Sequence, residues 1–206
     1  MNGSTSIQPP PKSRRRLQRA ADFTGSPLDS FRQVFLRHGL PGVLLGAFCL
    51  LHPGMRALLV EATAKVVITP LPYLLIGSLI FMGLSAYARY DGGRFSLRQF
   101  GWVVYLGLLS LWEEWVFRLA IPYSLKEQGV DLVVAIILCN LLFGAIHYFT
   151  LRWKWQWCVA ACLGGFAFSR QMDTHFDLLI VAGIHWVATC FNTPRPPRQR
   201  RGLPNL

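Results

Sequence analysis

Glu113-Glu114-Trp115-Val116-Phe117-Arg118 puts three ionisable side chains within six positions of an apolar run, roughly Phe100 to Leu125. On insertion scales an acidic or basic residue at the centre of a membrane helix costs about 2.5–3.5 kcal/mol. Three together need a reason, and ionisable residues inside a membrane mark functional sites by default. Residues four apart share a helix face, so Glu114 and Arg118 can pair and offset each other's cost. Glu113 lies about 100° round the helix from Glu114 and has no neutralising neighbour in sequence. A buried carboxylate of that kind suits general acid–base work near neutral pH. A Glu–Arg pair alone also serves as plain glue between helices, since structural ion pairs perturb titration too. Polar residues further along shift the balance toward chemistry. Phe143 and His147 share one helix face, with Asn140 seven positions before His147 on that face. His185 sits in another apolar run, followed by Thr189 at i+4 and Asn192 at i+7. Two histidines and two carboxylates on three apolar segments can converge at the centre of a bundle. A glutamate with a histidine can hold and deprotonate water. A second histidine beside a hydroxyl or amide can donate to a developing oxyanion. That set suffices to hydrolyse a peptide bond. The serines and cysteines lie in no recognisable nucleophile setting, so nothing points to acyl-enzyme chemistry. Glu113, His147 and His185 could alternatively ligate zinc, although the HExxH spacing of a strong zinc motif is absent.

The elements that must carry these residues are membrane helices. The chain of 206 residues is 52% hydrophobic and 15% charged, with a mean hydropathy of +0.35. That is too apolar for an ordinary soluble domain. About six hydrophobic segments are legible, near 39–53, 66–88, 99–124, 132–150, 157–169 and 177–192. The first is short and ends at His52-Pro53-Gly54. The stretch after it, with Arg56, Glu61 and Lys65, reads as a charged connection. Trp153, Trp155 and Trp157 interleave with Arg152 and Lys154, the pattern of a membrane-interface belt. The net charge of +11 gathers at the two ends, in Lys12, Arg14, Arg15, Arg16 and Arg19 and again in Arg195, Arg198, Arg200 and Arg201. With the basic loops after the second and fourth segments, the positive-inside rule puts both termini in the cytoplasm. The basic ends then face anionic lipid, and nucleic acid is not an expected partner. No secretion signal is expected, because the first apolar run starts too far in, near Gly39. Cys49, Cys139, Cys158, Cys162 and Cys190 fall in apolar stretches and read as small buried hydrophobes, not disulfides. The expected fold class is all-α, a polytopic helix bundle over 36–193. A basic tail, rich in Pro and Ser and disordered, is expected over 1–35, and a second basic tail over 194–206.

On these residues the chain resembles the CPBP family, the CAAX proteases and bacteriocin-processing enzymes also called the Abi family. Members carry an EExxxR motif, then FxxxH, then HxxxN, on successive membrane helices. Here Glu113-Glu114-x-x-x-Arg118 and Phe143-x-x-x-His147 are complete, while Thr189 stands four after His185 where the family usually has Asn. The likeness covers roughly 99–192. It implies a glutamic-type intramembrane endopeptidase with no catalytic metal and no other cofactor, acting on a membrane-associated or lipidated protein or peptide. Carried over by position, Glu113 is the base that activates water, aided by His147. Glu114 and Arg118 orient it, and His185 helps form the oxyanion site with Thr189 in the place of Asn. Phe143, Asn140 and Asn192 are the residues expected to line the substrate. The expected location is the bacterial inner (cytoplasmic) membrane. Two other readings remain: a non-catalytic scaffold or bacteriocin-immunity protein, marked by Thr189, and a proton-coupled transporter, against which stands the lack of an inverted repeat.

Overall fold

A computed structural model describes residues 28, 30–91 and 96–197. The basic tails expected at both ends lie almost wholly outside the described residues. Every regular element among the described residues is helical. Helix α1 (Phe31–Cys49) opens on Ser30, whose hydroxyl accepts from Gln33 N at 3.2 Å. It therefore starts ahead of the tail boundary expected at 35/36. A π-helical turn over Phe35–Gly39 widens its first half. After a bend of 107° the chain enters α2 (Pro53–Ile68). Its proline takes the helical N-terminus, where a missing N–H costs nothing. This is the stretch expected as a charged connection. Arg56, Glu61 and Lys65 are instead spread along a helix, and the Lys65 ammonium donates to the His175 carbonyl at 2.7 Å. Helix α3 (Pro70–Tyr90) follows, then α4 (Leu97–Glu114), capped by the Ser96 hydroxyl. From α4 the chain passes through a second π-helical turn, Trp115–Ala120, into α5 (Ile121–Glu127).

Asp131 caps α6 (Leu132–Thr150) by accepting from Val133 N and Val134 N. Helix α7 (Trp155–His175) ends at Phe176, held in the left-handed region with φ 44°. That conformation closes the helix through the Phe176 N–H to Met172 O bond. Buried Asp177 then caps α8 (Leu178–Asn192) and also accepts from the Tyr73 hydroxyl of α3.

Two helices, α3 and α6, are long and apolar enough to cross a membrane, and the bent pair α1–α2 makes a third if counted as one span. The other three expected spans do not meet that standard as single helices. Helix α8 has 15 residues, about 22 Å of rise, against a hydrocarbon core of about 30 Å. Helix α4 carries Arg98 together with the acidic pair, and the hydropathy of α7 is lowered by Gln156, Arg170, Gln171 and Asp173. The surface has a lipid-facing character. Only 11% of the apolar window of α3 is buried, and Leu71, Leu74 and Leu79 stand more than 60% exposed. The inside is the reverse: Trp115, Leu119, Phe143, Met172 and Val181 form a core in which α4–α8 meet.

Three contacts fix the helices around that core. A Cβ on Gly144 of α6 would lie 2.7 Å from the Cys158 carbonyl oxygen of α7, so only glycine lets these two backbones meet. The Trp112 indole donates to Gly42 O at 2.7 Å, pinning α1 against α4. Trp186 does the same between α8 and α4, donating to Val103 O at 2.9 Å. None of the five cysteines forms a disulfide, and three of them are buried.

Candidate active site

The acidic pair sits at the end of α4, immediately before the π-helical turn. Such turns widen the helix and recur at functional sites. Glu113 is 6% exposed and Glu114 fully buried. Arg118 lies within the turn, and its Nε is 3.1 Å from Glu114 Oε2 with both side chains inaccessible. The expected i,i+4 pair therefore exists. The guanidinium also lies over the Phe143 ring, 4.4 Å from its centroid, a contact that helps a desolvated cation.

Three histidines surround the Glu113 carboxylate. His185 of α8 puts Nε2 3.6 Å from Glu113 Oε2 and Nδ1 2.7 Å from Glu114 Oε1. One imidazole thus spans both carboxylates. His147 of α6 puts Nε2 3.9 Å from Glu113 Oε1, while its Nδ1 meets the Phe143 carbonyl at 2.7 Å. A carbonyl only accepts, so the proton of a neutral His147 sits on Nδ1, and Nε2 faces the carboxylate with a lone pair. The third is His38 of α1, whose Nε2 is 2.6 Å from Glu113 Oε1. Sequence reasoning missed it. It falls just before the first recognised apolar segment, outside every motif, and only its place beyond Phe31 and Phe35 hinted at a helix. Glu113 indeed has no partner near it in sequence; the ring that meets its carboxylate comes from 75 residues away.

The other expected residues divide. Phe143 is the wall of the cluster, with its ring 4.6 Å from the His147 ring and 5.9 Å from the His185 ring. Asn140 is fully buried but turns to α7, donating to Ser169 Oγ at 3.0 Å and to Ile136 O. It meets the site only through Gly165, where an added Cβ would strike both Asn140 Oδ1 and Arg118 Nη2. The Thr189 hydroxyl makes no hydrogen bond among the described residues; only its carbonyl is engaged, by Thr193. It is half-buried one turn beyond His185. Asn192 is exposed at the last position of α8. Neither side chain has a hydrogen bond to the cluster among the described residues. Trp153, read as part of an interface belt, instead tilts over the His147 ring at 4.5 Å, whereas Trp155 is 65% exposed as a belt residue should be.

A carboxylate that faces the lone pair of His147 Nε2 can take a proton from water held between them. The same atoms are metal donors. His38, Glu113 and His147 each offer a ligand atom, all within 4.8 Å of one another, a set able to hold a metal ion. The zinc alternative drawn from the motifs had His185 in the place that geometry gives to His38.

Residues 95–191 match a family model described as type II CAAX prenyl endopeptidase Rce1-like. No curated protein and no solved structure matches the chain. The matched stretch holds Glu113, Glu114, Arg118, Phe143, His147 and His185; His38 lies outside it. With the lipid-facing apolar helices, the match identifies an integral membrane protein of a protease type, whose substrate is a peptide or protein in a membrane setting. Over residues 95–191, which carry every residue of this cluster except His38, the chain is similar to the CPBP/CAAX protease family.

Proposed function

We propose that the protein is an intramembrane endopeptidase that hydrolyses a peptide bond of a membrane-associated or lipidated protein or peptide. The observation that carries this reading is the convergence of His38, His147 and His185 on the Glu113 carboxylate, with contacts of 2.6–3.9 Å. Water held between Glu113 and His147 Nε2 loses a proton to Glu113 as it attacks the amide carbon. The proton then passes to the leaving amine, as general acid–base catalysis requires. His185, when it carries a proton on both nitrogens, offers Nε2–H to the oxyanion. Glu114 and Arg118 hold His185 and the turn in place. The name of the matched family suggests prenylated chain ends as the first substrates to try. Six membrane segments with both termini in the cytoplasm fit the distribution of basic residues, and a bacterial inner membrane fits the motif resemblance.

The test is cleavage of prenylated and unprenylated membrane peptides by the purified protein, comparing wild type with Glu113→Ala and His147→Ala. Loss of cleavage in both folded variants supports the reading, and full activity in either ends it. The position of the Thr189 hydroxyl outside the cluster favours one competitor, a non-catalytic membrane scaffold. For a scaffold, the biological function would survive Glu113→Ala in a stably folded protein.

A further inference from the structure

Hydrogen-bond accounting around His38 leaves little freedom. The Thr150 hydroxyl has one proton, which goes to the Ile146 carbonyl at 2.7 Å. The same hydroxyl lies 2.8 Å from His38 Nδ1 and fixes the ring's orientation. The other ring nitrogen lies 2.6 Å from Glu113 Oε1. Two lone pairs do not meet at that distance, so a proton lies between them, and the contact is a short hydrogen bond to a carboxylate. A zinc ion between the same atoms, with bonds of about 2.0–2.1 Å at tetrahedral angles, would hold them about 3.3 Å apart. The observed 2.6 Å fits a shared proton better than a shared cation.

The placement of His38 is built. Next to it, Arg37 donates from Nε to Thr150 O at 3.1 Å and from Nη2 to Phe149 O at 2.9 Å. A cation there caps the carbonyls at the C-terminal end of α6 and favours its dipole. The π-helical turn Phe35–Gly39 lets the adjacent Arg37 and His38 both reach α6. The groups facing His38 are Glu113 from α4, Thr150 and the His147 ring (5.1 Å between centroids) from α6, and Arg37 beside it on α1.

We propose that His38 is a positioning residue of the active site. It holds Glu113 Oε1 through a proton it shares, so that Oε1 stays toward His147 and Oε2 toward His185. The first helix, which lies outside the family-matched stretch, thereby becomes an obligatory part of the site. The inference rests on the protease reading for its kinetic consequence, but not for its geometry.

Two experiments test it on the full-length protein in detergent. The first is kinetic. His38→Ala lowers kcat about 100-fold, the scale of a misaligned catalytic group, with KM little changed, and added imidazole restores at least tenfold. Unchanged kcat, or a loss that imidazole does not restore in a folded variant, overturns the proposal. If His38→Ala does not fold, Thr150→Val serves instead: it removes the hydrogen-bond partner of Nδ1, kcat falls with KM held, and an unchanged kcat overturns the proposal. The second needs no turnover. Histidine labelled with nitrogen-15 shows a low-field proton shared between His38 Nε2 and Glu113, lost in both His38→Ala and Glu113→Gln. Its absence from the wild type overturns the proposal, as does stoichiometric zinc that disappears in His38→Ala. Absent cleavage with the shared proton present would instead count against the protease reading alone.

Discussion

Replacing Arg118 by leucine tests how the acidic pair is tolerated at all. The Arg118 and Glu114 side chains are both completely inaccessible, and Arg118 Nε is 3.1 Å from Glu114 Oε2. Without the guanidinium, Glu114 keeps only the His185 contact at 2.7 Å. Breaking a buried pair by removing one partner costs about 3–5 kcal/mol, because the other charge is left uncompensated. Loss of the cation–π contact with Phe143 adds about 0.5–2 kcal/mol. A total of about 5 kcal/mol is roughly a several-thousandfold change in the folded-to-unfolded ratio. The double variant Arg118→Leu with Glu114→Leu removes both charges, and replacing a buried pair by apolar residues is often neutral. It should recover most of the lost stability, though not activity, because His185 then loses its anchor. The assay is thermal unfolding in detergent followed by intrinsic fluorescence, with all four proteins of the cycle. An Arg118→Leu variant as stable as wild type, or a double variant less stable than either single one, would refute the reasoning.

Other substitutions separate the parts of the site. Thr189→Val should leave cleavage within about twofold of wild type in a rate assay, because the hydroxyl makes no bond among the described residues. Tyr73→Phe removes a donor to buried Asp177 at the head of the helix that carries His185; unfolding measurements should show a loss of about 1.5–3 kcal/mol, the value of a bond to a charged group. Gly144→Ala pushes a methyl to 2.7 Å from the Cys158 carbonyl, and overpacking of this kind costs about 1–3 kcal/mol. Because His147 lies one turn further on, kcat should fall along with stability. Dialysis against a strong chelator should leave the cleavage rate unchanged, the outcome required by the proposed shared proton between His38 and Glu113.

Much of the site could be read from the chain because its logic is local. Glu114 and Arg118 are one helical turn apart, and Phe143 and His147 likewise, so helical periodicity alone places each pair on one face. Convergence of three segments followed from the cost of burying each charge separately. What escaped depends on tertiary placement. His38 is a lone histidine beside Arg37, and nothing near it in sequence hints that α1 bends across the end of α6 to reach Glu113. Asn140 lies on the expected helix face, yet a helix surface meets two neighbours, and the side chain went to Ser169 rather than to the carboxylates. Asn192 obeys the i+7 spacing from His185, but α8 ends there and the face it shares has run out of partners. The helical span with Arg56, Glu61 and Lys65 was hidden because charge was taken as a sign of a connection. Its ends are fixed by Pro53 and by the bend at His52, not by hydropathy.

The most direct measurement is cleavage of one membrane peptide by wild type and Glu113→Gln, each shown by thermal unfolding to be folded. Glutamine keeps the size and can still bond to His38, but it cannot take a proton from water. The account requires a loss of at least a hundredfold in kcat, at the low end of what a general base supplies. Cleavage by Glu113→Gln at the wild-type rate would contradict it.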